Sequence, residues 1–159
     1  MVYSRPPHRI KNKRIGVIAT ERTITTGHHK EQLLNFDKNI KVFEKSCPKF
    51  VTLLENNGQL YELNDAIDEY LKPLLTEKID TLILGCTHYA FLKDLIKNKA
   101  PHLKLISADT CVTNLVRIKQ LPLEPEIEFF VSGSIEQFKK SLLLFFDEDG
   151  LHLIIKKFI

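Results

Sequence analysis

A cysteine and a histidine two residues apart form the part of this sequence whose residue types could do chemistry. Cys86, Thr87 and His88 lie in the stretch DTLILGCTHYAFLKDLI, where an apolar β-type run ends and a helical pattern begins. A thiol just before a helix N-terminus is stabilised as a thiolate by the helix dipole, and a thiolate acts as a nucleophile or as a base. The stretch therefore predicts a reactive thiol at the end of a strand.

The neighbours of Cys86 leave several chemistries open. Thr87 could cap the helix or donate a hydrogen bond to a substrate carboxylate. His88 could protonate a leaving group, orient a substrate, or stabilise the thiolate as an imidazolium. The alternative for Cys86 is a structural role as a small buried apolar side chain. The adjacent threonine and histidine favour the functional interpretation.

Short β-rich runs alternate along the chain with segments that have apolar residues at helical spacing. The predicted strands cover residues 14–20, 39–46, 80–85, 102–109, 127–133 and 151–158. The predicted helices cover residues 27–36, 48–56, 63–77, 90–99, 110–120 and 134–148. This alternation predicts an α/β fold, a doubly wound and mostly parallel Rossmann-like sheet flanked by helices. Ligands of such sheets bind beyond the carboxyl ends of the strands, which is where Cys86 is expected.

Composition argues against several classes of function. The chain has 159 residues, of which 43% are apolar and 27% charged, as in an ordinary soluble globular protein. Five of the 23 Lys and Arg residues lie between Arg5 and Arg14, which leaves 18 in the rest of the chain against 20 acidic residues. We interpret residues 1–13 as a solvated basic tail and predict no nucleic-acid partner.

Apolar runs and cysteine spacing indicate the compartment. No run approaches the roughly 18 apolar residues that span a bilayer, so we expect a cytoplasmic protein without a membrane partner. Cys47, Cys86 and Cys111 are odd in number and do not form a Cys-x-x-Cys pair, which indicates reduced thiols and no metal site. His28 and His29 point about 100° apart on a helix and are interpreted as a solvated helix end.

The prolines of QLPLEPEIE at 120–128 predict a linker. We therefore expect an α/β domain at 14–120 and a C-terminal segment at 121–159. That segment contains IEFFVSG, SLLLFF and LHLIIKKF, which are rich in large apolar residues. Two outcomes are open for it: self-association or a required partner, or extension of the single sheet built by 14–120.

Five ordered segments resemble the glutamate racemases of the aspartate/glutamate racemase superfamily. DTLILGCTHY is similar to their second cysteine motif, and the segments RIGVIATERTI, SCPKFVTLLENNG, LKLISAD and FFVSGSIEQFKK follow in the family's order around it. The resemblance covers most of residues 14–145. It implies an isomerase that interconverts L- and D-glutamate with two thiols and no cofactor, and that supplies D-glutamate for peptidoglycan and cell-wall biogenesis.

The resemblance also implies roles for single residues. Cys86 corresponds to the second catalytic cysteine, His88 to the histidine that assists it, and Glu55 to the family's acidic residue near the site. The residues implied to contact substrate are Thr87, Thr20 and Thr23. For the last two, which crowd the end of the first strand, a loop-forming role of the hydroxyl is the alternative.

The sequence departs from the family in its N-terminal half. Family members are longer and carry an Asp-Ser-Gly motif and a first catalytic cysteine in Cys-Asn-Thr, and neither string occurs here. Cys47 matches the family's Ala-Cys-Pro position and Cys111 lies within a predicted helix, so both are expected to be structural. The chain is thus equivalent to one racemase domain and part of the second, with residues 121–159 returning to the missing domain. The expected partners are glutamate and either a second copy or a complementary N-terminal half. The alternatives are one chain of a split enzyme or a non-catalytic binding or interaction protein.

Overall fold

The stretch that contains Cys86 belongs to an all-parallel sheet. The computed structural model describes residues 12–56, 58–115, 126–143 and 152–158. The four strands of the sheet are β1 (Arg14–Ala19), β2 (Lys41–Ser46), β3 (Thr81–Leu84) and β4 (Lys104–Ser107). Their order is β2-β1-β3-β4, and every neighbouring pair is parallel. The predicted α/β class is confirmed.

Helices follow each of these strands and cover both faces of the sheet. They are α1 (Glu21–Thr25), α2 (His28–Phe36), α3 (Pro48–Glu55), α4 (Leu60–Thr76), a 3-10 helix (Thr87–Leu92), α5 (Lys93–Lys99) and α6 (Ala108–Leu115). On one face, Phe50, Ile67 and Leu92 join a large buried cluster from α3, α4 and the 3-10 helix. On the other, Leu33 of α2 packs on Ile15 and other strand residues in a smaller cluster.

Side-chain alternation along β1 explains how the sheet is covered on both faces. Ile15 and Val17 belong to the smaller cluster and Ile18 to the larger one, as the two-residue period of a strand requires. All three are at most 1% exposed. Burial of each such side chain stabilises the fold by about 1.5–3 kcal/mol. The sheet is therefore a rigid support for the residues that lie at its carboxyl edge.

Three local predictions differ from the structure. No helix is predicted between residues 20 and 27, but this Thr-rich segment contains the short helix α1, because the Thr20 side chain caps its first turn. The helix expected from residue 63 begins at Leu60, where Gln59 and Glu62 form a capping box. The single helix expected at 90–99 is instead a 3-10 helix from Thr87 followed by α5.

The chain divides into two compact units at Leu115 and Val116, and each is described by itself. Asn12 and Lys13, at the end of the predicted basic tail, hydrogen-bond to Asp80 and Asp37 of the first unit. Residues 1–11 of that tail, and residues 116–125 with most of the predicted linker, lie outside the described residues.

The second unit contains a sheet of its own. Strands β5 (Glu126–Val131) and β6 (His152–Lys157) are parallel, with α7 (Ile135–Leu143) between them in the chain. The rings of Phe129 and Phe138 lie 5.2 Å apart and hold the helix on the strand pair. The alternative in which these strands extend the first sheet is not what the structure shows, since β5 and β6 pair with each other in a two-stranded sheet. No helix among the described residues is long and apolar enough to span a membrane.

Candidate active site

Cys86 lies at the carboxyl edge of the sheet, as predicted. It follows β3 by two residues, and the register places Leu84 of β3 beside Ser107, the last residue of β4. The Gly85 amide donates to the Ile18 carbonyl at 2.8 Å, which fixes the chain just before Cys86 against the end of β1. The ends of three strands therefore meet at the thiol, the usual position of ligand sites in such sheets.

The thiol of Cys86 is the first member of a three-residue chain. Its Sγ lies 3.9 Å from Nδ1 of His88, and Nε2 of His88 lies 3.0 Å from Oε1 of Glu55. A proton on Nε2 that faces the carboxylate leaves Nδ1 as an acceptor for the thiol proton. The structure thus brings together Cys86, His88 and Glu55, the three residues implied to be catalytic, in a geometry suited to proton transfer.

Aromatic packing holds Glu55 and His88 side by side. The hydroxyl of Tyr89, next to His88, donates to the backbone carbonyl of Cys47 at 2.8 Å. The ring of Phe50 on α3 meets the Tyr89 ring edge-on at 5.1 Å. Both rings are fully buried, so the 3-10 helix and α3 are fixed to one another beneath the half-exposed side chains of His88 and Glu55.

A cavity of about 110 Å³ opens beside Cys86 at the ends of β3 and β4. Its wall is mostly apolar, and its polar or titratable residues are His29, Cys86, Thr87, Ser107 and Cys111. Thr87 is the first residue of the 3-10 helix, whose cap position belongs to Cys86, so a capping role for Thr87 is not what the structure shows. Its place in the cavity wall is compatible with the implied substrate contact.

Sequence reasoning missed His29 and Cys111 as residues of this cavity. The solvated helix end expected for the two histidines holds for His28, which is exposed, whereas His29 is half-buried and lines the cavity. Cys111 lies on α6, as expected, yet it lines the same cavity as Cys86. The sequence feature that could have identified His29 is the angle of about 100° between adjacent helical residues, because only one of two such residues can face the site.

Thr20 directly follows β1 and Thr23 lies in α1, and their hydroxyls lie 2.9 Å apart. Thr20 also accepts from the Thr23 amide, so both serve the first turn of α1. Thr23 lines a second pocket together with Arg22, His28 and His29. His29 thus lines both this pocket and the cavity beside Cys86. Substrate contact by Thr20 and Thr23 stays a prediction.

The thiols differ in environment. All three cysteines are free, but Cys47 is fully buried, and burial raises the pKa of its thiol to about 12. Cys86 and Cys111 are half-buried. No three His, Cys, Asp or Glu side chains within the described ranges are arranged to hold a metal ion.

Alkylation by iodoacetamide at pH 7.5 should therefore modify Cys86 first, Cys111 more slowly and Cys47 last. Cys86 has an imidazole acceptor for its proton, whereas Cys47 combines full burial with a raised pKa. Mass spectrometry of peptides from timed samples measures the three rates. His88→Asn should slow only Cys86, with His102→Asn as the matched control at an exposed histidine. Faster modification of Cys47 than of Cys86 would contradict the site.

These features define an α/β protein with a thiol, an imidazole and a carboxylate at the carboxyl edge of a parallel sheet. The family model described as Asp/Glu/hydantoin racemase matches residues 8–115. The chain belongs to this family, and the predicted resemblance is confirmed.

The curated relatives that the chain matches are glutamate racemases. That of Sulfurihydrogenibium sp. is 36% identical over 82% of this chain and 51% of its own length, and that of Thermoanaerobacter sp. is 36% identical over 92% and 60%. The chain thus spans between half and three fifths of these relatives and corresponds to the C-terminal half of such an enzyme.

Solved structures agree with this assignment. A glutamate racemase isoform of Bacillus anthracis is 29% identical with a TM-score of 0.73, over 94% of this chain and 58% of that one. The glutamate racemase of Francisella tularensis, solved in complex with D-glutamate, is 25% identical with a TM-score of 0.71, over 92% and 58%.

Proposed function

We propose that this chain supplies one of the two proton-transferring thiols of a glutamate racemase, an isomerase that interconverts L- and D-glutamate. The observation that carries the proposal is the chain of contacts from Cys86 through His88 to Glu55 at the carboxyl edge of a racemase-family domain. A base at that edge is positioned to act on the Cα–H bond of an amino acid bound beyond the strands.

In the proposed reaction, the Cys86 thiolate removes the Cα proton and a thiol on the opposite face delivers another. Glutamate inverts its configuration, and the two sulfurs exchange protonation states, so no oxidant, reductant or cofactor takes part. His88 accepts the thiol proton and Glu55 orients the imidazole. Thr87, with Thr20 and Thr23, binds the substrate's polar groups.

The second thiol comes, in this proposal, from a complementary segment equivalent to the N-terminal half of the relatives. Support lies in the second unit, whose two-stranded parallel sheet is of a size that is marginal alone in water. Parallel sheets are normally covered on both faces. Here Phe130 and Phe158 are 60% and 63% exposed. Strands of a complementary half, or of a second copy, would bury these side chains.

The proposed setting follows from the product. D-glutamate is a component of peptidoglycan, and the activity would serve cell-wall biogenesis and cell shape from the cytoplasm. The chain would meet a small amino acid there and would need neither nucleic acid nor a membrane.

The test is the fate of the Cα proton in deuterated buffer. The purified chain should exchange this proton of one glutamate enantiomer slowly and with retention, because a single thiol acts on a single face. Addition of the N-terminal half of a matched glutamate racemase should restore inversion. Mass spectrometry after chiral chromatography reads both outcomes. Efficient formation of the opposite enantiomer by this chain alone would overturn the half-site assignment.

The exposed apolar residues of the second unit favour one alternative, a non-catalytic interaction protein. That function predicts glutamate binding or partner capture with no Cα exchange in either assembly. The same deuterium experiment therefore separates the two functions.

A further inference from the structure

The cavity beside Cys86 contains an imidazole that the proposed proton transfer does not use. His29, the second residue of α2, lines this cavity together with Cys86 and Thr87. His88, by contrast, contacts Cys86 and Glu55 and is not among the residues of the cavity wall. Cys86 therefore contacts one histidine, His88, and lines a cavity together with another, His29.

Gly85 makes room for the His29 ring. A Cβ at Gly85 would lie 2.9 Å from Nε2 of His29 and 3.0 Å from Cβ of Ala19, both closer than side chains normally approach. The missing side chain lets the imidazole stand against the backbone directly before Cys86. Packing of this kind limits the ring's rotation, as a ligand-binding group requires.

The size of the cavity limits what His29 can contact. Pockets for drug-sized ligands measure roughly 300–1,000 Å³, so a cavity of about 110 Å³ admits only one end of a small molecule. An amino acid whose Cα faces Cys86 would place a carboxylate there. The polar groups that line the cavity are His29, the hydroxyl of Thr87, the thiol of Cys111 and the hydroxyl of Ser107, which also contacts the Thr110 hydroxyl at 3.1 Å.

We propose that His29 is a substrate-binding residue whose imidazolium pairs with a carboxylate of the amino acid held against Cys86. The inference rests on the proposed function, since it requires an amino acid in this cavity. His29 also lines the neighbouring pocket with Arg22 and Thr23, so the same side chain borders both that pocket and the cavity of Cys86.

Proton uptake should accompany binding. Burial, and then the nearby His28, lower the pKa of His29 below its ordinary value, so the ring is mostly neutral in the empty site at neutral pH. An anionic ligand favours the charged ring and opposes this effect. Affinity should therefore rise as the pH falls from 8 to 6. The other charged or titratable groups of the two pockets are Arg22, His28, Cys86 and Cys111. Lys30, which follows His29 on α2, interacts with Glu44 on β2.

The experiment is calorimetric titration of the full chain with D-glutamate and L-glutamate at pH 6 and pH 8. His29→Asn should weaken binding about tenfold at pH 6, the worth of a charge-assisted hydrogen bond, and less at pH 8. His102→Asn, the matched control at an exposed histidine that lines neither pocket, should change affinity less than about twofold. D-glutamine, which lacks the side-chain carboxylate, identifies the partner: if His29 holds that group, His29→Asn should not weaken D-glutamine binding.

A measurement without substitution keeps the inference testable should His29→Asn unfold. The imidazole proton signal of His29 in NMR should titrate at higher pH when D-glutamate is present than when it is absent. An unshifted titration, or equal losses from His102→Asn and His29→Asn, overturns the role of His29 alone. Failure of the unaltered chain to bind either enantiomer overturns the proposed function together with this inference.

Discussion

Replacement of Cys86 by serine is expected to slow Cα proton exchange of glutamate about 10³-fold, the scale of a lost general base. A serine hydroxyl fits the space of the thiol but ionises far less readily, so His88 would have no thiolate to generate. The rate is the disappearance of the Cα–H signal of glutamate in deuterated buffer, measured by NMR on the chain alone and with a complementary N-terminal half.

The second thiol of the cavity provides the comparison. Cys111 lines the same space as Cys86, but within the described part of the chain only Cys86 has a sulfur–histidine contact, at 3.9 Å between its Sγ and Nδ1 of His88. Cys111→Ser should therefore cost much less exchange activity than Cys86→Ser. Equal losses from the two substitutions would show that the reacting thiol has been misassigned.

Truncation of Tyr89 should have the largest effect on stability. Tyr89→Ala removes a fully buried ring that contacts Phe50 and bonds the Cys47 carbonyl, a loss of about 3–5 kcal/mol. That is a large part of the 5–15 kcal/mol typical of a folded domain. Tyr89→Phe keeps the ring but removes the shorter of two hydrogen bonds to the Cys47 carbonyl, which still accepts from the Phe50 amide at 3.4 Å, at a cost of about 0.5–1.5 kcal/mol.

Urea unfolding followed by circular dichroism measures these losses, with Tyr61→Ala as the control because Tyr61 is 66% exposed. A second reading comes from Cys47, whose thiol should become open to alkylation in Tyr89→Ala. Equal midpoints for Tyr89→Ala and Tyr61→Ala would show that the aromatic contact with α3 contributes little.

The sheet could be predicted because its signals are local. β3 reads TLIL, all four residues are buried, and the following Gly-Cys marks where the strand ends. Parallel winding then places Cys86 at the carboxyl edge without further information. The 3-10 helix from Thr87 was missed, because such short helices depend on tertiary contacts such as the burial of Tyr89.

The site could be predicted from the sequence only in part. The spacing of Cys86 and His88 is local, but Glu55 came from family resemblance alone, since nothing near it in the sequence shows that α3 ends beside the 3-10 helix. The roles of His28 and His29 could not be separated by residue type. Their difference arises from packing against Gly85, a contact between α2 and the end of β3 that only the fold creates.

The contact between His88 and Glu55 also determines how the proton on the Cys86 sulfur exchanges with solvent. The side chains of His88 and Glu55 are 35% and 53% exposed, and the elements that carry them, the 3-10 helix and α3, pack on the face of the sheet opposite to the one that α2 covers. A ligand that fills the cavity next to His29 would leave this pair in contact with bulk water. The sulfur would then be recharged with solvent hydrogen while its ligand is still bound. In deuterated buffer, glutamate that turns over several times before release should therefore carry deuterium at Cα in place of its original hydrogen.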